Sequence, residues 1–224
     1  MIIKELIHFF SISAQVGLLS CILFGLWRFK SLPTEIQRLG PFLVVTLIIN
    51  ITAIILGRQM ISNLFLLHTY TLLEVFLWAY FYKYLFRKNI KGKHAFSLLI
   101  GIVSILIIAN SILLEPVTGF NSNAKSLVQL LLILASIFYF FNAFGKIDLT
   151  QPLPRSLSII NFAVLFYYSG SLFIFMFSKM LNANNVAQTQ QHGLWAINGL
   201  IYLIFLILIF TGIWIATFQE TKSS

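Results

Sequence analysis

The chain has 224 residues, of which 59% are hydrophobic and 9% are charged, and its formal net charge is +9. Too few polar residues remain to cover a water-exposed surface, so the composition excludes a soluble globular protein and indicates an integral membrane protein. The basic residues gather near the ends of apolar stretches, so the positive charge does not point to nucleic acid. We expect no nucleic-acid partner and expect membrane lipids as the surroundings.

Seven windows of the sequence are long and apolar enough to cross a membrane, which takes about 20 residues of helix. The windows cover residues 7–27, 41–57, 64–85, 95–114, 127–145, 157–178 and 194–217. The connections between them are too short to fold alone. The sequence therefore predicts an all-α, polytopic membrane protein in which residues 1–224 form a single seven-helix transmembrane domain.

The distribution of basic residues predicts the orientation of these spans. With the N-terminus outside, eleven of the 15 lysines and arginines fall in cytoplasmic segments. The outside segments then carry the other four, which are Lys4, Arg58, Lys125 and Lys179. Cytoplasmic loops are enriched in Lys and Arg, so this bias predicts an N-out/C-in topology. The run "KYLFRKNIKGKH" at 83–94 is interpreted as an anchor against anionic lipid.

The first two spans supply polar side chains to the predicted bundle interior. Gln15 lies within the first span, and Pro41 opens the second. In the second span Thr46 and Asn50 lie on one side, together with Ala53 and Gly57. Small and polar residues mark the faces through which membrane helices pack, so this side is predicted to face inward.

The third span, 64–85, carries a glutamate, Glu74, near its middle. Counted from Leu64, Glu74 lies roughly 15 Å into the membrane, and Tyr70 and Trp78 share its face. An ionised carboxylate at this depth costs at least about 2.5 to 3.5 kcal/mol. Because no lysine or arginine in any predicted span is placed to neutralise it, we expect Glu74 to be protonated or bonded to several neutral donors.

The remaining spans differ in how much polar chemistry they offer. The fourth carries no charge and is predicted to be architectural. Before the fifth, Asn121, Ser122 and Asn123 suit a turn that caps the helix, and Gln129 lies inside it. The sixth and seventh contribute further polar side chains to the predicted interior, which are Asn161, Tyr168, Asn198 and Tyr202.

Three interpretations of Glu74 remain open. It could lie in a ligand pocket, open toward the outside, for an amine or a polar head group. In its acid form it could simply join helices by hydrogen bonds, or it could couple a carrier to protons. The candidate ligand-binding residues are Glu74, Tyr70, Trp78, Asn50, Asn161, Tyr168, Asn198 and Tyr202.

Known catalytic and cofactor patterns are missing from the sequence. There is no paired carboxylate at helical spacing, no HExxH and no GxSxG, and the four histidines are scattered. The last span has no lysine, which removes the Schiff-base chemistry of a retinal protein. We therefore expect no catalytic residues, no metal and no cofactor, and an enzymatic role is disfavoured.

Several stretches of the sequence resemble a known family. "LHTYTLLEVFLWAYFY", "FNSNAKSLVQLLLILASIFYFF", "FYYSGSLFIF" and "GLWAINGLIYLIFLILIFTGIW" are similar to an uncharacterised family of seven-helix membrane proteins common in Bacteroidetes. The resemblance covers about residue 64 to the end. Glu74, Asn121, Ser122 and Tyr168 occupy its recognisable positions, whereas Gln129 stands where an acidic residue is expected. The resemblance implies a multi-pass protein of a bacterial inner membrane, and members of this family often lie beside two-component signalling proteins.

These observations together favour a non-enzymatic receptor or transducer module that senses a small or lipidic ligand. Only about seven residues follow the last predicted span, so we expect a separate cytoplasmic or membrane signalling protein to supply the output, contacted through 83–94. A homo-oligomer is compatible with this interpretation. The alternative is a carrier or an oligomeric pore, with Glu74 lining the path.

Overall fold

The computed structural model describes residues 2–87, 93–144, 154–183 and 188–219. Within these ranges the regular structure is helical, and seven helices are long and apolar enough to cross a membrane, which confirms the predicted fold class. The α-helices are α1 (Ile2–Trp27), α2 (Thr34–Gln37), α3 (Gly40–Arg58), α4 (Leu64–Leu85), α5 (Lys93–Leu113), α6 (Ser122–Phe144), α7 (Arg155–Ala183) and α8 (Gln188–Gln219). A 3₁₀ turn, Phe29–Ser31, precedes the single turn of α2.

Six of the long helices form a closed ring. In spatial order the ring runs α1, α3, α4, α6, α7, α8 and back to α1, and each helix packs on the next. The fifth helix, α5, lies outside the ring against α4 and α6. The large side chains on the outside of the bundle are apolar, among them Phe9 and Ile12 on α1 and Ile105 on α5. Such a surface is suited to lipid, and α5 has the architectural place that its lack of charge predicts.

Among the predicted helix boundaries, those at Pro41 and at 115–119 agree with the structure, whereas several helix ends extend beyond the predicted spans. Pro41 lies in the first turn of α3, where its missing N–H costs nothing. The break at 115–119 separates α5 from α6. However, α6 begins at Ser122, five residues before the predicted start at 127. Residues 122–126 are mostly polar, so the hydropathy pattern alone does not detect that they form the first turn of the helix.

The connections are more ordered than the predicted loops. In the first connection, Leu32, Ile36 and Leu39 are buried, so the chain between α1 and α3 packs onto the bundle. The amide-rich stretch 181–193 is mostly helical, because α7 continues to Ala183 and α8 starts at Gln188. Residues 184–187, the centre of the basic run (88–92) and residues 151–153 of the predicted break at 151–155 lie outside the described residues.

Candidate ligand-binding site

Glu74 does not stand alone in the bundle, because Lys125 of α6 reaches it. The Lys125 Nζ atom lies 2.5 Å from Glu74 Oε2, and the two side chains are only 8% and 1% exposed. The expectation that Glu74 has no basic counterpart is therefore wrong. The error follows from the boundary of α6: with the helix starting at Ser122, Lys125 lies in its first turn inside the bundle and not in an outside loop. A buried charge is tolerated when it is paired.

The second oxygen of Glu74 is bonded to α7. The Tyr168 hydroxyl donates to Glu74 Oε1 at 2.7 Å, and it accepts a bond of the same length from the indole N–H of Trp78. The Tyr70 ring also contacts the ammonium, with its centroid 5.1 Å from Lys125 Nζ. The carboxylate of one helix, α4, is thus fixed by donors from two others, α6 and α7.

A cavity of about 450 Å³ lies beside this pair. It occupies the end of the bundle where α1 begins and α3 ends, which is the predicted outer half. All six helices of the ring contribute to its wall, and α5 does not. The polar residues of the wall are Ser11, Gln15, Thr46, Asn50, Asn63, Tyr70, Thr71, Asn121, Lys125, Tyr167, Asn198 and Tyr202. The volume falls within the range of about 300 to 1,000 Å³ usual for small-molecule sites.

The eight candidate residues divide into three groups. Four of them line the cavity, namely Asn50, Tyr70, Asn198 and Tyr202. Three lie behind its wall as the hydrogen-bonded chain of Glu74, Tyr168 and Trp78. Asn161 lies apart from both groups, where its Oδ1 atom accepts a bond from the Tyr82 hydroxyl at 3.1 Å. The cavity wall thus presents the ammonium of the ion pair, while the carboxylate lies behind it.

Three buried amide oxygens on the cavity wall have no hydrogen-bond partner within the described part of the chain. They are Gln15 Oε1, Asn121 Oδ1 and Asn198 Oδ1. Most buried polar atoms in folded proteins are bonded to something, so these three acceptors can take donors from ordered water or from a molecule bound in the cavity once their side chains turn toward it. Apolar side chains complete the wall, including Phe10, Leu66, Phe175 and Trp195.

Aromatic rings close the inner end of the cavity. Phe42, which lines it, packs on the Trp78 ring with centroids 4.6 Å apart. Behind Phe42 and Trp78, Phe81, Tyr168 and Phe205 are each no more than 1% exposed. This layer separates the cavity from the opposite half of the bundle.

Glu115 fixes the start of α6 and with it the position of Lys125. Its Oε2 atom accepts a bond from the Asn123 backbone N–H at 2.9 Å, and its Oε1 atom accepts one from the Ser122 hydroxyl at 2.7 Å. The predicted cap from 121–123 is therefore replaced by a carboxylate from the preceding connection. Asn121 bonds instead to Thr71 of α4, with 3.1 Å between Nδ2 and Oγ1.

Histidine chemistry plays no visible part in the site. His68 is buried, with Nδ1 at 2.8 Å from Ser111 Oγ and Nε2 at 3.3 Å from the Gly119 carbonyl oxygen. These bonds tie α4 to α5 and to the connection before α6. Among the described residues, no group of three or more His, Cys, Asp or Glu side chains is arranged to hold a metal ion.

The feature that sequence reasoning missed is Lys125, although the sequence contains a signal for it. Gln129 is predicted to face the interior, and it does, since it is fully buried and bonded to Ser171. Residues four apart share one face of a helix, so the inward position of Gln129 also points Lys125 inward once the helix is extended by one turn.

No protein-family model, no curated protein and no solved structure matches this chain. Its function is therefore inferred from the geometry of the site.

Proposed function

We propose that this chain is a non-enzymatic seven-helix membrane receptor module. It binds a small amphiphilic ligand in the outer cavity and passes the resulting change in helix packing to a separate signalling protein. The observation that carries this proposal is the position of Lys125, which lines the cavity and is also ion-paired to Glu74 behind the wall.

The lining defines the chemistry of the ligand. An ammonium has three donors, and one N–H of Lys125 is directed at Glu74, so an acceptor in the cavity can take another. The amide oxygens of Gln15 and Asn198, which have no partner in the described part of the chain, can accept hydrogen bonds from hydroxyl or N–H groups of a ligand. A cationic amine would be repelled by the ammonium of Lys125, because Lys125 lines the cavity and Glu74 lies behind the wall. The wall thus favours a carboxylate or another acceptor group joined to an apolar body, with donors along its length.

The ion pair offers a route from ligand to helix packing. A ligand acceptor that draws Lys125 toward the cavity weakens the bond from α6 to Glu74 on α4. Glu74 is also bonded to Tyr168 on α7, so three helices respond to one displacement. Unpairing a buried charge costs about 3 to 5 kcal/mol, and a ligand that shifts the packing must supply this free energy through its own contacts.

The aromatic layer under the cavity supports binding over passage. A carrier or pore would need a polar route past Trp78, Phe81, Tyr168 and Phe205, all of which are almost completely buried. Purified protein in dye-loaded liposomes distinguishes the two functions. The receptor proposal expects no leak, whereas leak that disappears in Glu74→Gln would support a path lined by that residue.

Cysteine protection tests the cavity directly. In a Cys21→Ala background, Asn198→Cys places a thiol on the cavity wall, and the protein is reconstituted in nanodiscs. Octanoate, octanol and octylamine are then compared as probes at matched concentration. We expect octanoate to slow maleimide labelling most, by about tenfold at roughly ten times its Kd, and octylamine to slow it least. Lys125→Met should remove the advantage of octanoate.

The matched control carries its thiol outside the cavity. Ser62→Cys lies at an exposed position before α4, where no probe should alter the labelling rate. If no probe protects the Asn198→Cys thiol, or if octylamine protects it best, the proposed site is contradicted. For the signalling step, crosslinking in native membranes should capture a stoichiometric companion protein, and a chain that is always recovered alone would argue against a transducer.

A further inference from the structure

A second cavity, of about 480 Å³, lies at the opposite end of the bundle from the first. It is bounded by the end of α1, by the connection that contains α2, and by the start of α3. Its wall is mainly apolar, with Ile22, Leu26, Leu43 and Val44 among its residues. Leu26 and Val44 are also exposed on the outside of the bundle. The cavity therefore opens sideways, toward the lipid, and we call it the lateral crevice.

One basic side chain in the lateral crevice has an N–H donor without a hydrogen-bond partner in the described part of the chain. Arg38 lines the crevice, and its Nε atom is buried without a hydrogen-bond acceptor in the described part of the chain. Its guanidinium carbon lies 4.5 Å from the ring centroid of Tyr80 and 4.1 Å from that of Tyr84. The faces of the two rings hold the guanidinium in place by cation–π contact and leave its Nε atom without a hydrogen-bond acceptor. Arg38 as a whole is only half-buried, so an acceptor that enters from outside the protein can reach its guanidinium.

The charges around the lateral crevice favour an anion. Arg28 and Lys30 lie in the connection that borders it, and Arg87 follows α4 at the same end of the bundle. Among the described residues at this end of the bundle, the acidic side chain is Glu35, which pairs with Arg87 at 3.8 Å. This is the predicted cytoplasmic side, where the leaflet carries anionic lipid. An apolar crevice with a fixed arginine thus faces a source of molecules that combine an acyl chain with a phosphate.

We propose that the lateral crevice is a binding site for one anionic phospholipid. Arg38 donates to the phosphate, and an acyl chain lies along the apolar wall that Ile22 and Leu43 help to form. Arginine suits this role because its planar fork matches the geometry of phosphate oxygens. Gln37 positions the site, because its Nε2 atom donates to the carbonyl oxygens of Phe29 and Leu32 and so fixes the fold of the connection.

Native mass spectrometry tests this proposal on the full chain. Protein purified in a neutral detergent is titrated with phosphatidylglycerol, with phosphatidylcholine of the same acyl chains, and with inorganic phosphate. We expect one phosphatidylglycerol to be retained in preference to phosphatidylcholine. Arg38→Gln should weaken that retention about fivefold or more, since one basic contact to anionic lipid is worth about 1 kcal/mol. Inorganic phosphate should not bind, because it has no chain to fill the crevice.

A second variant acts on the acyl chain and leaves Arg38 untouched. Gly25 lines the lateral crevice, and a Cβ atom placed there would meet no atom within 4 Å, so the side chain of Gly25→Leu begins in open space at the crevice wall and takes up volume that an acyl chain would need. We expect Gly25→Leu to lose the retained lipid while it unfolds at the same temperature as the parent chain. Arg58→Gln, at the opposite end of the bundle, is the matched control and should keep the lipid.

Three results would overturn the proposal. They are equal retention of the two lipids by the parent chain, phosphatidylglycerol retention unchanged in both Arg38→Gln and Gly25→Leu, and binding of inorganic phosphate as strong as that of the lipid. None of these results bears on the outer cavity, because the two cavities have no lining residue in common.

Discussion

Glu74 lies at a depth where a lone charge costs at least about 2.5 kcal/mol on insertion scales. A proton on the carboxyl or a cation beside it can remove this cost, and the structure has the cation. Lys125 is bonded to one carboxylate oxygen and Tyr168 to the other, so both oxygens have a donor. The pair is neutral as a unit, and the Tyr70 ring next to the ammonium stabilises the positive end.

A double-mutant cycle measures how far the two charges depend on each other. Lys125→Met leaves a buried carboxylate without its cation and should lower the free energy of unfolding by about 3 to 5 kcal/mol. Glu74→Gln should also destabilise, but less, because Lys125 lines a cavity that admits water. The double variant should cost less than the sum of the two, with a coupling of at least about 1 kcal/mol. SDS titration in mixed micelles, followed by far-UV circular dichroism, gives these values.

The exposed pair of Arg87 and Glu35 serves as the control for this cycle. Its atoms are 3.8 Å apart, and the side chains are 48% and 28% exposed, so its coupling should not exceed about 0.5 kcal/mol. A coupling between Glu74 and Lys125 no larger than that of the control pair would show that the buried pair has no special energetic role.

At the scale of helices, close packing of α7 and α8 depends on glycine. A Cβ atom at Gly212 of α8 would lie 2.6 Å from Ile160 Cγ1 and 3.2 Å from the Ser156 backbone oxygen. Neither distance is tolerated without movement, and the second involves backbone. Between membrane helices, where apolar area gives no preference for protein over lipid, such close approach is a main source of specific association.

Alanine substitution tests this contact. Gly212→Ala should lower the free energy of unfolding by about 1 to 3 kcal/mol, the usual cost of overpacking. Gly101→Ala is the control, because a Cβ atom at Gly101 on α5 would meet nothing within 4 Å. That variant should be neutral or more stable by up to about 1 kcal/mol, since alanine favours helix over glycine. Equal effects of the two substitutions in the same SDS titration would contradict the packing argument.

Sequence reasoning succeeds for elements whose physical cause is local. The spans are predictable because twenty apolar residues in a row have one stable state in a bilayer, and Pro41 marks a helix start by its own geometry. The first turn of α6 is not predictable from hydropathy, because its start depends on Glu115, a residue outside the helix. Missing that turn also meant missing Lys125, and with it the partner of Glu74.

At the scale of the whole molecule, pairing across the ring is the part that sequence cannot supply. The sequence predicts that Tyr168 faces inward, but its bond to Glu74 joins residues 94 positions apart and follows from the closure of the six-helix ring. The same closure gathers around one cavity the amide side chains of three helices, α1, α3 and α8, and those of Asn63 and Asn121, which lie directly before α4 and α6. Helical periodicity gives the inward faces, and the order of the helices in the ring decides which side chains meet.

The N-out/C-in orientation assigns the cavity to the outside and the lateral crevice to the cytoplasmic leaflet, so both proposals depend on it. The two ends of α4 are about 33 Å apart and must lie on opposite sides of the membrane. In a Cys21→Ala background, Ser62→Cys before α4 should react with a membrane-impermeant maleimide on intact cells. Arg87→Cys after α4 should react only once the membrane is permeabilised. The reverse pattern would place the cavity on the cytoplasmic side and the arginine crevice in the outer leaflet, where an anionic phospholipid is no longer the favoured occupant.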